Sequence, residues 1–199
     1  MARLSLLLII FVSSTACQTT RPIGWDNQTL EPRPYAAQLN DWTRHEVSYH
    51  QIESRLFVHA TCVSPTFASV YARENADRAN MAASEAIALR EKLVKEARTE
   101  LKFIVSVATG DPYWNDMGGS KATLRASLTV DERLEMIKPV TVERLTPKQQ
   151  ADLRPFFEYL TPLSQAYVVT FPPFKGGKRL NLRIGGPPGV VELSWNLSR

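Results

Sequence analysis

Cysteine is scarce in this chain. Its 199 residues include two, Cys17 and Cys62, too few for the disulfide framework on which small secreted domains rely. Long apolar runs are also missing. The leading one, Leu4 to Val12, covers nine residues and is apolar except for Ser5, against about 20 for a helix that stays in a bilayer. No internal repeat or low-complexity stretch occurs, which excludes solenoids and arrays. Charge of one sign is not in excess: 24 Lys and Arg stand against 20 Asp and Glu. Removing residues 1–16 takes away Arg3 and no acid, leaving 23 basic residues against 20 acidic. That balance is too mild to call for nucleic acid, whose binders gather basic residues on one face.

Catalytic and metal signatures are missing too. There is no G-x-S-x-G, S-x-x-K or G-x-x-x-x-G-K-[ST]. Gly118-Gly119-Ser120-Lys121 lacks the upstream glycine of a phosphate loop and reads as a hairpin turn. His45, Glu46 and His50 do not make HExxH, because the second histidine is five residues on. His59 and Cys62 form H-x-x-C, but on a strand they face opposite sides, and zinc needs three or four protein ligands. Asp111, Asn115 and Asp116 offer oxygens without the spacing of a calcium loop. The expectation is a non-enzymatic chain with no catalytic residue, metal or cofactor. A further alternative is a hydrolase using carboxylates such as Asp111 or Asp116.

Enough apolar residues are present, 44% of the chain, to build one core at this length without metal or disulfides. The chain opens with Arg3, the apolar run Leu4 to Val12, and then Ser13-Ser14-Thr15-Ala16-Cys17. Charge, short apolar stretch and small residues are the three parts of an export signal. The segment resembles the bacterial lipoprotein leader, whose Leu-Ala/Ser-Gly/Ala-Cys box precedes the cut. Thr15-Ala16-Cys17 matches its last three places, and Ser14 stands where Leu is usual. The resemblance covers residues 1–17 alone. It implies cleavage before Cys17, diacylglycerol and an acyl chain on that cysteine, and a bacterial envelope address. Gln18, in place of the Asp that holds such proteins on the inner membrane in enteric bacteria, implies the outer membrane, facing the periplasm. Ser14-Thr15-Ala16 also satisfies an ordinary secretory signal cut at the same bond, which leaves Cys17 a free thiol able to pair with Cys62.

After the leader, residues 17–40 carry Pro22, Pro32 and Pro34 and no apolar period. They read as a lipidated cysteine followed by a flexible tether, with Trp25 and Tyr35 able to dock on the domain. Residues 41–199 read as one β-rich domain. Two strands are expected in 42–72, the second extended or bent through Phe67-Ala68-Ser69-Val70-Tyr71. One long amphipathic helix is expected over 75–101, with Ala82, Ala86, Leu89, Leu93, Ala97 and Leu101 at steps of three and four. Period-two strands follow at 103–107, 122–130, 138–145, 167–171, 180–184 and 190–195. Residues 147–160 are ambiguous, with one or two helical turns possible. Strand and helix do not alternate, which argues against a parallel sheet. The fold class expected is mainly β: an antiparallel β-sandwich, immunoglobulin-like in plan, with one long helix packed on it. The alternative is α+β.

Two surface features invite a partner. Tyr113 and Trp114 sit in a turn-rich loop between strands, where exposed aromatics make a contact patch. Lys175, Lys178 and Arg179 form a basic hairpin tip suited to anionic lipid or a polyanionic glycan. The expected role is a membrane-anchored structural or protein-interaction module. Its partners are the membrane, through Cys17, and an envelope protein, with no nucleic acid. The alternative is a ligand-binding lipoprotein for a glycan, lipid or small solute.

Overall fold

The computed structural model describes residues 23–25, 34–50, 53–131 and 135–198. The leader, Cys17 and most of the expected tether lie outside these residues. The described elements are β1 (Ile23–Gly24), α1 (Tyr35–Trp42), β2 (Thr43–His50), β3 (Glu53–Val63), α2 (Pro65–Arg78), α3 (Ala83–Thr99) and β4 (Leu101–Thr109). A single 3-10 turn, Pro112–Asn115, precedes β5 (Arg125–Val130), β6 (Thr141–Arg144), α4 (Pro147–Leu153), β7 (Gln165–Phe171), β8 (Arg179–Gly186) and β9 (Gly189–Ser198). The strands form a five-stranded sheet, β2-β3-β4-β7-β6, and a four-stranded sheet, β1-β9-β8-β5. All pairings are antiparallel except β1 on β9. Helix and strand are thus mixed, as the α+β alternative has it. The mainly-β reading undercounts helix.

One face of each sheet builds a common core. On β3, Leu56, Val58, Ala60 and Cys62 are fully buried. Cys62 pairs with Phe103 of β4, and the Phe103 ring lies 5.2 Å from that of Trp195 on β9. Trp195 is completely covered, and its indole donates to the Trp42 carbonyl at 2.8 Å. The two sheets are joined on both sides. On one side Arg44 of β2 reaches the Ser194 carbonyl at 2.9 Å. On the other, Leu128 of β5 exchanges two backbone hydrogen bonds with Ile137, and the same run of chain continues into β6 beside β7.

The second face of the five-stranded sheet carries the helices. Thr61, one step from Cys62, hydrogen-bonds the Tyr159 hydroxyl at 2.7 Å, and that hydroxyl also donates to the Ile104 carbonyl. Phe67, Tyr71, Phe157 and Tyr159 continue the aromatic layer. Tyr35 of α1 joins it through Phe67, and its hydroxyl donates to the Phe156 carbonyl. Residues 35–40, assigned to the tether by their sequence, are therefore helix docked on the body.

Three further expectations are corrected. Phe67–Tyr71 is helix, because Ser64 caps its start: the side chain accepts from Phe67 N at 3.1 Å and Pro65 takes the first turn. The single long helix is two. Asn80 turns left-handed at φ 49, and Met81 N and Asn80 N bond back to Ala76 O and Asp77 O, the closing pattern of a Schellman motif. The second of the pair, α3, lies on α2 rather than on a sheet. Arg90 bonds Ser69 across the two helices, and Ala97 is the one buried residue of α3. Finally, neither Gly118–Lys121 nor Lys175–Arg179 is a hairpin. Each crosses between sheets, since β4 and β7 belong to one and β5 and β8 to the other.

Candidate functional site

The aromatic loop begins where β4 ends. Asp111 starts the 3-10 turn by accepting Tyr113 N at 2.9 Å, with Pro112 at the first position. The Thr109 hydroxyl bonds the Asn115 side chain at 2.8 Å. From β7, the Tyr167 hydroxyl donates to Asn115 O at 2.7 Å and accepts from Met117 N at 3.2 Å. Burial comes first among the causes that raise the Tyr167 phenol above its ordinary pKa, so it stays a neutral donor. Thr123 closes the loop by donating to Trp114 O and Asp116 O. Asp116 itself accepts Gly118 N at 2.9 Å. The Asp111 and Asp116 carboxylates thus both hold turns in place.

This bracing aims Tyr113 into solvent, 69% exposed, and leaves Trp114 half-buried beside it. The rings meet edge to face at 5.1 Å. Trp114 forms one wall of an open cleft of about 560 Å³, shared with Arg55, Thr109, Gly110, Asp111, Pro187 and Pro188. Pro187 and Pro188 form the tip of the β8–β9 hairpin. Gly186 lets that tip close on the loop, because a side chain there would collide with the Thr123 carbonyl. An indole face, two proline rings, a guanidinium and a carboxylate can together grip an extended chain or a sugar ring. The proline wall and Arg55 escaped the sequence reading. Gly185-Gly186-Pro187-Pro188-Gly189 signals a turn, and nothing local says what the turn meets.

The basic residues lie elsewhere. Lys175, Lys178 and Arg179 are exposed at the end of β8 opposite Gly186, where Arg179 pairs with Asn196. Aromatic loop and basic loop therefore occupy opposite ends of the strands rather than one face.

His59 and Cys62 point to opposite sides of β3. Cys62 is sealed in the core, where burial pushes its thiol well above the usual range, which makes it unreactive. His59 lies between two rings, His45 across the strand pair at 5.4 Å and Tyr159 at 5.4 Å. Desolvation and then the His45 charge hold its imidazole below the ordinary histidine pKa. Burial raises the Tyr159 phenol. This column of rings was not foreseen, because it depends on strand register. Among the described residues no three of His, Cys, Asp and Glu converge as for a metal ion, and no helix is long and apolar enough to cross a membrane. No protein-family model, curated protein or solved structure matches this chain.

Proposed function

We propose that this chain is an exported bacterial lipoprotein, cleaved before Cys17 and held on the outer membrane, facing the periplasm, by acyl chains on that cysteine. Its folded body is a non-enzymatic module that offers the Tyr113–Trp114 cleft to an envelope protein. Support for the anchor is the leader, Leu4 to Val12 followed by Thr15-Ala16-Cys17. Sealing of Cys62 adds to it, because a free Cys17 would find no accessible partner in this chain. Several acyl chains on one residue give stable attachment, at about 0.8 kcal/mol per buried CH₂. On fold, we read the two facing sheets as a β-sandwich with a helical layer added outside. The immunoglobulin likeness goes no further than that two-sheet core.

One observation carries the interaction role. A braced loop holds Tyr113 in solvent beside the cleft wall. Exposed, preorganised aromatics are what binding hot spots are made of. A photo-crosslinking residue at Tyr113, in intact envelopes, is expected to yield a defined protein adduct that Trp114→Ala reduces several-fold. No protein adduct at Tyr113 defeats the reading. Cleft size favours a second reading, a ligand-binding lipoprotein: its volume lies within the roughly 300–1,000 Å³ typical of ligand sites. An adduct on glycan or lipid in place of protein selects that reading.

A further inference from the structure

The N-terminal entry and the basic loop share one end of the molecule. β1 pairs Ile23 with Leu197 and Gly24 with Ser198, at the close of β9. Trp25 follows, its ring 4.4 Å from Phe174 and 6.2 Å from Trp42. Phe174 lies in the crossover from β7 to β8, immediately before Lys175-Gly176-Gly177-Lys178. Lys178 O accepts Leu197 N at 2.7 Å. Lys175, Lys178 and Arg179 therefore flank the place where the chain arrives from Cys17.

The loop has a built shape. Gly176 adopts φ 103, open to glycine and strained for other residues. A Cβ on Gly177 would lie 2.5 Å from Val130 Cγ1, so the backbone packs directly on the end of β5. Asp131 Oδ1 accepts Lys178 N at 2.6 Å and Arg179 N at 3.0 Å, so this carboxylate is turned to the loop's backbone. Arg179 Nε donates to the neutral Asn196 side chain at 3.1 Å. Pro172, Pro173 and Val140, which is 66% exposed, add apolar surface at the same end, Val140 N bonding Thr170 O.

We propose that this loop is a second membrane contact: Lys175, Lys178 and Arg179 rest on the phosphates of anionic lipids and hold the domain upright. The proposal rests on the anchor at Cys17. Six residue steps separate Cys17 from Ile23, so the entry end stays within about 20 Å of the lipid whatever path they take. From Gly189 to Leu197, β9 carries the hairpin tip and its cleft about 25 Å further out. Headgroup charge acts over a Debye length of about 8 Å. The short tether thus lets the basic loop settle within that range, and a domain standing on this end keeps the cleft clear of it.

The test uses the full lipidated protein in phosphatidylcholine vesicles, with and without phosphatidylglycerol. A fluorophore is attached through Pro173→Cys or through Tyr113→Cys, the sealed Cys62 staying unlabelled, and a quencher is carried on lipid headgroups. With phosphatidylglycerol, quenching at position 173 is expected to exceed that at 113 several-fold. It should fall to the phosphatidylcholine level in high salt, in K175E/K178E/R179E and in the milder K175Q/K178Q/R179Q. Equal quenching at both positions, or quenching indifferent to salt and to both triple variants, overturns the proposal. The mass of the mature N-terminus separates the two claims. An unacylated Cys17 sinks the anchor, and the loop is then judged by flotation with phosphatidylglycerol vesicles. Salt-sensitive flotation supports the contact and its absence overturns it.

Discussion

His59 shows how one side chain carries both a structural and a pH-dependent term. Its ring is half-buried between His45 and Tyr159, and desolvation leads the causes that keep it neutral. Above the ordinary value of 6.5 neither folded nor unfolded chain holds the proton, and this residue adds no pH dependence. As pH falls through that value the unfolded chain takes up a proton that the folded chain resists, so stability falls until the folded pKa is passed. Urea unfolding between about pH 7.5 and about pH 5.5 should show stability lost on acidification, with a smaller loss in His59→Gln. An equal loss in the variant would assign the effect to other groups. His59 was visible in the sequence as a strand histidine on the side opposite Cys62, because strand period alone decides that. Its stacking partners come from residues 14 and 100 positions away, which no local pattern encodes.

The helical pair α2–α3 turns on Asn80. Its left-handed backbone costs an ordinary L-residue about 1–2 kcal/mol, which Asn tolerates better and Gly avoids. Thermal or urea unfolding is expected to show Asn80→Ala destabilised by about 1 kcal/mol, with Asn80→Gly neutral or slightly stabilised. A neutral alanine variant would mean that the junction does not need this geometry. The same pair explains what was misread. Residues 83–99 declared themselves by apolar steps of three and four. Residues 65–72 did not, because they are buried on nearly every side, show no one-sided apolar stripe and so resemble a buried strand. The available signal was Ser64 followed by Pro65, a cap and a first helical position. The β8–β9 hairpin was legible, since its two alternating runs flank an unmistakable turn.

Trp195 holds the two sheets to each other. It touches Phe103 of the opposite sheet, bonds the Trp42 carbonyl, and lies under the Arg44 guanidinium at 5.9 Å. Trp195→Ala should cost about 3–5 kcal/mol, the range for a large aromatic removed from a core. Because both sheets line one core, unfolding followed by near-ultraviolet and far-ultraviolet circular dichroism should give a single coincident transition. Two separated transitions would show that the sheets unfold independently. The cleft and the basic loop depend on the same arrangement, since each is closed by a crossover between sheets.

Local sequence determined the faces of the strands, the stripe of α3 and the position of the last hairpin. Side-chain period, turn residues and caps act within a few residues and can be read there. Tertiary structure alone decided which strand joined which sheet. Period two tells a strand which face to bury and not which neighbour to take, and here partners lie as far apart as Ile23 and Leu197. That choice turned two expected hairpins into crossovers. It set Trp114 against Pro187 and Pro188, and it moved Lys175, Lys178 and Arg179 to the opposite end, beside the entering chain.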